Sequence, residues 1–204
     1  MKLRVDLMEK GKRSVEIVES FCGWDYLSEL IEKCKCKRNR GLISALFETG
    51  GRVSEVLQLE KANFAIQEPY VIVKAMPVLK RYEKTGERFD DEGKKRWITK
   101  RKKGYRTFPI HTKEPLCPEL IDYIINLESA QLFRLSRIQV YRIVTEIDKN
   151  IFPHWFRAQR ASQLAVEYGF DMHDLVDFFN WKSLGTAVHY SRMGWKGLAT
   201  KMVR

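Results

Sequence analysis

Three short segments bring together residue types that can handle a phosphate. Arg52 follows Gly50-Gly51 and precedes Val53-Ser54-Glu55, so it opens a helix. Backbone N–H groups at a helix start hold phosphate well, and a guanidinium forks onto two of its oxygens. Pro153 suits the first position of another helix, and His154 and Arg157 lie three apart on one face of its first turn. An imidazole exchanges protons near neutral pH, and the arginine beside it can hold an anion. In the third segment Trp181 ends one apolar helix, Ser183 is an N-cap candidate for the next, and Tyr190 sits within that helix. Taken singly, each has an ordinary reading. Arg52 would be an exposed arginine, the His154-Arg157 pair a surface coincidence, and Tyr190 a half-buried packing residue among eight tyrosines.

The elements that must position these residues follow from hydrophobic periodicity. Residues 24–36 place Tyr26, Leu27, Leu30, Ile31 and Cys34 at helical spacing, and 40–48 form a second helix that Gly50-Gly51 stops. Another helix begins near Val53. The period then changes: 70–79 (YVIVKAMPVL) is rich in β-branched residues and reads as a strand, with 96–100 and 105–110 as its antiparallel partner. Residues 81–96 are mostly charged, with turn signals at Thr85-Gly86 and Glu92-Gly93, a solvated hairpin insertion. From Pro118 onward the pattern is helical, through 118–130, 136–149, 153–169, 171–180 and 183–192. Helices, a small antiparallel sheet and more helices in one unit predict an α+β, mainly α fold. The expected organisation is an N-terminal extension over 1–23, one domain over 24–195 and a basic tail over 196–204.

Composition narrows the function. In 204 residues, 37 Lys and Arg stand against 26 Asp and Glu, a formal charge of +11. With 44% apolar residues the chain can bury a core, so it is neither disordered nor fibrous. A folded, strongly basic protein points to a polyanion, nucleic acid first. Tyr70 to Leu79, the longest apolar run, is broken by Lys74 and too short to span a bilayer, and the first ten residues lack a signal-type apolar segment. No membrane is expected, and the expected location is cytoplasmic, at the nucleoid. The four cysteines do not make a disulfide framework, and Cys34-Lys35-Cys36 has no second pair or nearby histidine to complete a metal site. Neither a P-loop nor a carboxylate cluster suited to Mg²⁺ is present, so no cofactor or metal is expected.

Together and in order, TGGRVSEVLQL, PHWFRAQRASQLA and FNWKSLGTAVHY resemble the catalytic domain of tyrosine recombinases, the phage-integrase family with its archaeal members. That family carries Thr-Gly-x-Arg-x-Ser-Glu, then His-x-x-Arg, then a His or Trp with Tyr nine residues later. The resemblance spans about 25–195 and implies the fold of DNA breaking-rejoining enzymes. It assigns Arg52, His154, Arg157, Trp181 and Tyr190 to the catalytic set. The family lysine lies on the β-hairpin; Lys80 fits best, with Lys74 and Lys100 as competitors. Phe179-Asn180-Trp181 stands where Leu-Gly-His is usual, with asparagine in place of glycine. Only about two dozen residues precede the first helix, too few for the usual N-terminal helical domain. The resemblance then implies a bare catalytic domain, a partner chain that supplies the core-binding half, or the remnant of a disrupted integrase gene.

The implied chemistry is site-specific strand exchange on double-stranded DNA, independent of metal and ATP. Tyr190 attacks the scissile phosphate, giving a 3′-phosphotyrosyl link and a free 5′-hydroxyl. Arg52 and Arg157 hold the non-bridging oxygens, His154 and Trp181 assist, and the lysine protonates the leaving oxygen. Glu55, one turn after Arg52, orients the arginine or histidine, or is simply an exposed helix residue. Strand-exchanging relatives assemble as tetramers on paired sites, so self-association is implied. Three rivals stand beside this reading. One is a type IB topoisomerase, which normally has lysine where His154 stands. The others are a relic that grips DNA without exchange, and a basic helical regulator whose Arg, His and Tyr spacing is coincidental.

Overall fold

The computed structural model describes residues 21–79, 82–101 and 104–191; the side chains of 82, 83, 101 and 189–191 fall outside that description. Helix α1 (Trp24–Glu32) buries Leu27, Leu30 and Ile31. Helix α2 (Lys37–Thr49) is buried from Gly41 to its end and stops at Gly50, which takes φ 53° in the left-handed region. Most residues resist that conformation, so the glycine marks where the chain turns. A short helix α3 (Val53–Val56) follows at once.

Next comes a three-stranded antiparallel sheet, β1 (Phe64–Gln67), β2 (Tyr70–Pro77) and β5 (Tyr105–His111), with β2 central. Its inner face carries Val71, Val73 and Met76 opposite Ile110, Phe108 and Arg106. Helices α4 (Cys117–Asn126), α5 (Arg137–Ile147), α6 (Pro153–Glu167), α7 (Met172–Phe179) and α8 (Leu184–Ser191) complete the described chain. One continuous core joins Leu42, Leu46 and Phe47 of α2, Leu120 of α4, Phe156 and Leu164 of α6, and the sheet's inner face. Helix α6 lies in the middle of it, packed against α2, α5, α7 and α8. Among the described residues no helix is long and apolar enough to cross a membrane.

The α+β, mainly α expectation holds, with differences in the strands. Residues 95–101 do not join β2: as β4 (Lys95–Arg101) they pair with β3 (Tyr82–Phe89) in a separate two-stranded ribbon. Only β5 pairs with β2 on that side. The ribbon turns at 90–94, where Gly93 takes φ 74° and Asp90 accepts from the amides of Glu92 and Lys94. Thr85-Gly86, read as a turn signal, is a bulge within β3. Strand β1 was not anticipated; its four residues carry too short a pattern to stand out.

Candidate active site

The turn between α2 and α3 is built around glycine. A Cβ on Gly50 would meet Cε1 of Phe179 at 2.5 Å, and one on Gly51 would meet Cγ2 of Val56 at 2.7 Å. The backbone is therefore pressed against α7, α3 and, through Met76, the sheet, and Arg52 emerges from it at the N-cap of α3. Its side chain is 29% exposed, open enough to meet a ligand yet anchored.

The anchor is Glu55, which is 1% exposed and whose carboxylate acts as a hub. Oε1 accepts from Nη1 of Arg52 at 2.8 Å and from the amide of Leu79 at 3.1 Å. Oε2 accepts from the amide of Arg52 at 2.9 Å and faces Nη1 of Arg157 at 4.0 Å. Glu55 is thus an orienting residue for Arg52, and the reading of it as an exposed helix position fails. Lys80 lies outside the described residues, but its neighbour Leu79 is tied to the carboxylate that holds Arg52. Lys74 is exposed on β2, and Lys100 is on the ribbon opposite Glu83.

His154 and Arg157 occupy the first turn of α6, which Pro153 opens. They differ sharply in burial. His154 is exposed, whereas Arg157 is 1% exposed and is no surface residue. Arg157 donates from Nη1 to the carbonyl of Gly50 at 2.5 Å and lies 4.6 Å from the ring centre of Phe179 and 5.5 Å from that of Trp181. Trp181 is nearly buried and stacks on Phe179 with centroids 4.6 Å apart. Arg52, Arg157 and Trp181 are therefore brought together around the Gly50-Gly51 turn. Tyr190 lies within α8, which packs on α6 and α7, but its side chain is outside the described set.

Asn180 explains how the tight turn before Trp181 survives without glycine. It ends α7 with φ 50° and ψ 50°, the left-handed conformation that asparagine tolerates best among non-glycine residues. Its Nδ2 donates to the carbonyl of Tyr105 at 2.9 Å, fastening the turn to β5.

Two buried arginines were missed from sequence. Arg106 on β5 donates to the carbonyls of Thr49 at 2.6 Å and Phe178 at 2.8 Å. Arg160, one turn beyond Arg157, lies between Glu48 at 3.4 Å and Glu114, and also donates to Gln163 at 2.9 Å. Burial pushes the carboxyl of Glu48 well above the ordinary range, against the pull of Arg160. Burial also raises Glu114, but the charge of Arg160 and the hydrogen bonds with Glu48, Arg160 and Tyr168 together bring the net direction down. Burial, with Arg157 as the next cause, lowers Arg106. Arg52, Arg106, Arg157 and Arg160 share three carboxyl groups in this part of the structure, Glu48, Glu55 and Glu114. Such a surplus of positive charge in a dry setting suits a phosphate. A signal for Arg106 did exist: Arg106, Phe108 and Ile110 alternate in phase, placing the arginine on the buried face of its strand.

The phage integrase family matches residues 24–194. Among solved structures, the XerA recombinase superposes with a TM-score of 0.59 at 18% identity, over 90% of this chain and 64% of its own. The XerH site-specific recombinase bound to palindromic difH substrate, in a post-cleavage complex, gives 0.56 at 18%, over 91% and 53%. The Tn1549 transposon integrase in complex with transposon right end DNA gives 0.59 at 15%, over 98% and 69%. The chain spans about half to two thirds of the length of these recombinases. No curated protein matches it significantly.

Proposed function

The chain belongs to the phage integrase family and has the fold of its catalytic domain, and we propose that it cuts and rejoins double-stranded DNA through a 3′-phosphotyrosyl intermediate. The observation that carries this reading is the Glu55 hub, a single buried carboxylate facing guanidiniums from two separate helices and an amide beside the hairpin lysine position. Arg52 and Arg157 are the groups that hold the non-bridging oxygens of the scissile phosphate. Tyr190 attacks phosphorus in line; the new bond is O–P to tyrosine, and the bond that breaks releases the 5′-oxygen. His154, exposed at the start of α6, accepts the tyrosine proton or holds the phosphate. Lys80 protonates the departing 5′-oxygen, and the indole N–H of Trp181 donates while its ring closes the site. Because the linkage conserves the phosphodiester energy, attack by another strand's 5′-hydroxyl reverses it without ATP.

The catalytic domain covers 24–195, with 1–23 as an extension, 81–96 as the charged core of the hairpin insertion, and 196–204 as a basic tail. DNA contact comes from exposed basic residues, chiefly through phosphates. The run Lys33–Arg40 and the ribbon contribute, although Lys37 pairs with Asp122 at 3.3 Å, Lys95 with Glu87 at 2.7 Å and Arg96 with Asp90 at 3.0 Å. Such exposed pairs are weak and exchange readily for phosphate. A further face is exposed on α5, where Arg137, Tyr141 and Arg142 project from a helix packed on both α3 and α6. Strand exchange requires paired sites, so self-association as a tetramer belongs to the proposal.

The test is covalent trapping on nicked duplexes tiled across the DNA flanking the gene. Wild type should give denaturant-resistant, protease-sensitive adducts that Tyr190→Phe abolishes and Arg52→Ala reduces about a hundredfold or more. Adducts that persist undiminished in Tyr190→Phe contradict the proposal.

A further inference from the structure

Arg106 stands apart from the residues that would touch a phosphate, yet it touches both turns that carry them. It is 5% exposed and points inward from β5, opposite Met76. Nη2 donates to the carbonyl of Thr49, the last residue of α2, at 2.6 Å, and approaches Sδ of Met76 at 3.3 Å. Nη1 donates to the carbonyl of Phe178, in the last turn of α7, at 2.8 Å. Carbonyls at a helix C-terminus lack intrahelical partners and sit at the negative end of the helix dipole. One guanidinium thus caps two helices at once. Its Cζ lies 4.3 Å from the ring centre of Phe108 and 5.6 Å from that of Phe179.

Each capped carbonyl lies just ahead of a phosphate-binding residue. Thr49 leads through Gly50-Gly51 to Arg52, and Phe178 leads through Phe179-Asn180 to Trp181. Arg157 lies between the same two turns, bonded to Gly50 and stacked near Phe179. We infer that Arg106 is a positioning residue that clamps the Arg52 turn to the Trp181 turn and so sets the spacing of the phosphate-binding groups. The inference rests on the recombinase reading for its consequence, but the clamp itself is a statement about the protein alone. A buried cation among other arginines is costly, the more so as Nε has no hydrogen-bond partner, and a hydrophobic residue would fill the same space more cheaply. The bidentate fork is the property that no other side chain reproduces. A lysine at this position would place its ammonium where Cζ now sits, one bond short of both carbonyls.

Two measurements test this. In native-state hydrogen exchange on the wild-type protein, the amides of Gly51 and Arg52 should open together with those of Asn180 and Trp181, with one shared denaturant dependence. Each of these amides is hydrogen-bonded and therefore observable, to Thr49, Glu55, Asp177 and Val176 respectively. Separate dependences for the two turns overturn the clamp, and this result needs no variant to fold. In Arg106→Lys, both turns should exchange at least tenfold faster while α4 amides are unchanged. Single-turnover adduct formation on the tiled nicked duplexes should fall a hundredfold or more, with duplex affinity within threefold of wild type. Faster exchange at one turn only, or spread evenly over the chain, overturns the inference, as does wild-type cleavage by Arg106→Lys. Wild-type protein that forms no adduct at all counts against the recombinase reading, while the exchange result still decides the clamp.

Discussion

Glu55→Gln tests the logic of the site through stability. The substitution keeps the shape of the side chain and removes its charge. The amide oxygen can retain the Oε1 bonds to Arg52 Nη1 and the Leu79 amide, but the NH₂ then meets the Arg52 amide, itself a donor. One hydrogen bond to a charged acceptor is lost, about 1.5–3 kcal/mol. The carboxylate facing the buried Arg157 guanidinium also disappears, and breaking a fully buried pair costs about 3–5 kcal/mol. At 4.0 Å that contact is long, and Arg52 is 29% exposed, so solvent screening reduces both contributions. The expected loss is about 2–4 kcal/mol, or roughly 5–15 °C in Tm for a chain of this length. Urea unfolding monitored by far-UV circular dichroism should show a lower midpoint with an unchanged slope. A loss below about 1 kcal/mol would mean that Glu55 is not the hub described, because a buried charge with these partners cannot be that cheap to remove.

Three more outcomes are expected. Gly50→Ala must adopt a left-handed conformation and push against Phe179, so it should destabilise by about 2–4 kcal/mol in the same unfolding assay. Glu48 carries a raised pKa, so the folded state holds a proton that the unfolded chain releases near 4.5, and this contribution to stability declines as pH rises from there toward the folded value. Glu48→Gln, which mimics the protonated form, should flatten that decline and be no less stable than wild type at pH 8; a steeper decline would refute the assignment. For DNA binding, Arg137→Ala combined with Arg142→Ala should weaken affinity across sequences and lower the slope of log K against log salt by about 2, as measured by fluorescence anisotropy. An unchanged slope would remove the α5 face from the interface.

Much of the frame was legible because local signals and tertiary demands agreed. Pro153 starts α6 and Gly50 stops α2, where the sequence placed those boundaries. Arg52, the His154-Arg157 pair and Trp181 were singled out by type and spacing but joined into one site only by the family resemblance, and the fold brings Arg52, Arg157 and Trp181 around one turn. What spacing could not convey was burial. Arg157 sits on the same helical turn as the exposed His154 yet is enclosed, because Phe179 and the Gly50 carbonyl close over it. Arg106 and Arg160 escaped notice because their partners are a helix-end carbonyl pair and carboxylates distant in sequence. The strand partner was misjudged for a related reason: Trp97 and Ile98 within 96–100 suggested a place beside β2, whereas that segment pairs within the ribbon. Asn180, an oddity in the sequence motif, became intelligible only with its φ of 50° and its bond to Tyr105.

The central claim is that Tyr190 becomes covalently attached to DNA through a 3′-phosphate. The most direct measurement is to digest a trapped adduct with protease, identify the nucleotide-bearing peptide by mass spectrometry, and label the other strand end. The account predicts a single modified peptide linked at Tyr190 and a free 5′-hydroxyl that polynucleotide kinase labels without prior phosphatase treatment. Linkage at another residue, or through a 5′-phosphate, would contradict it.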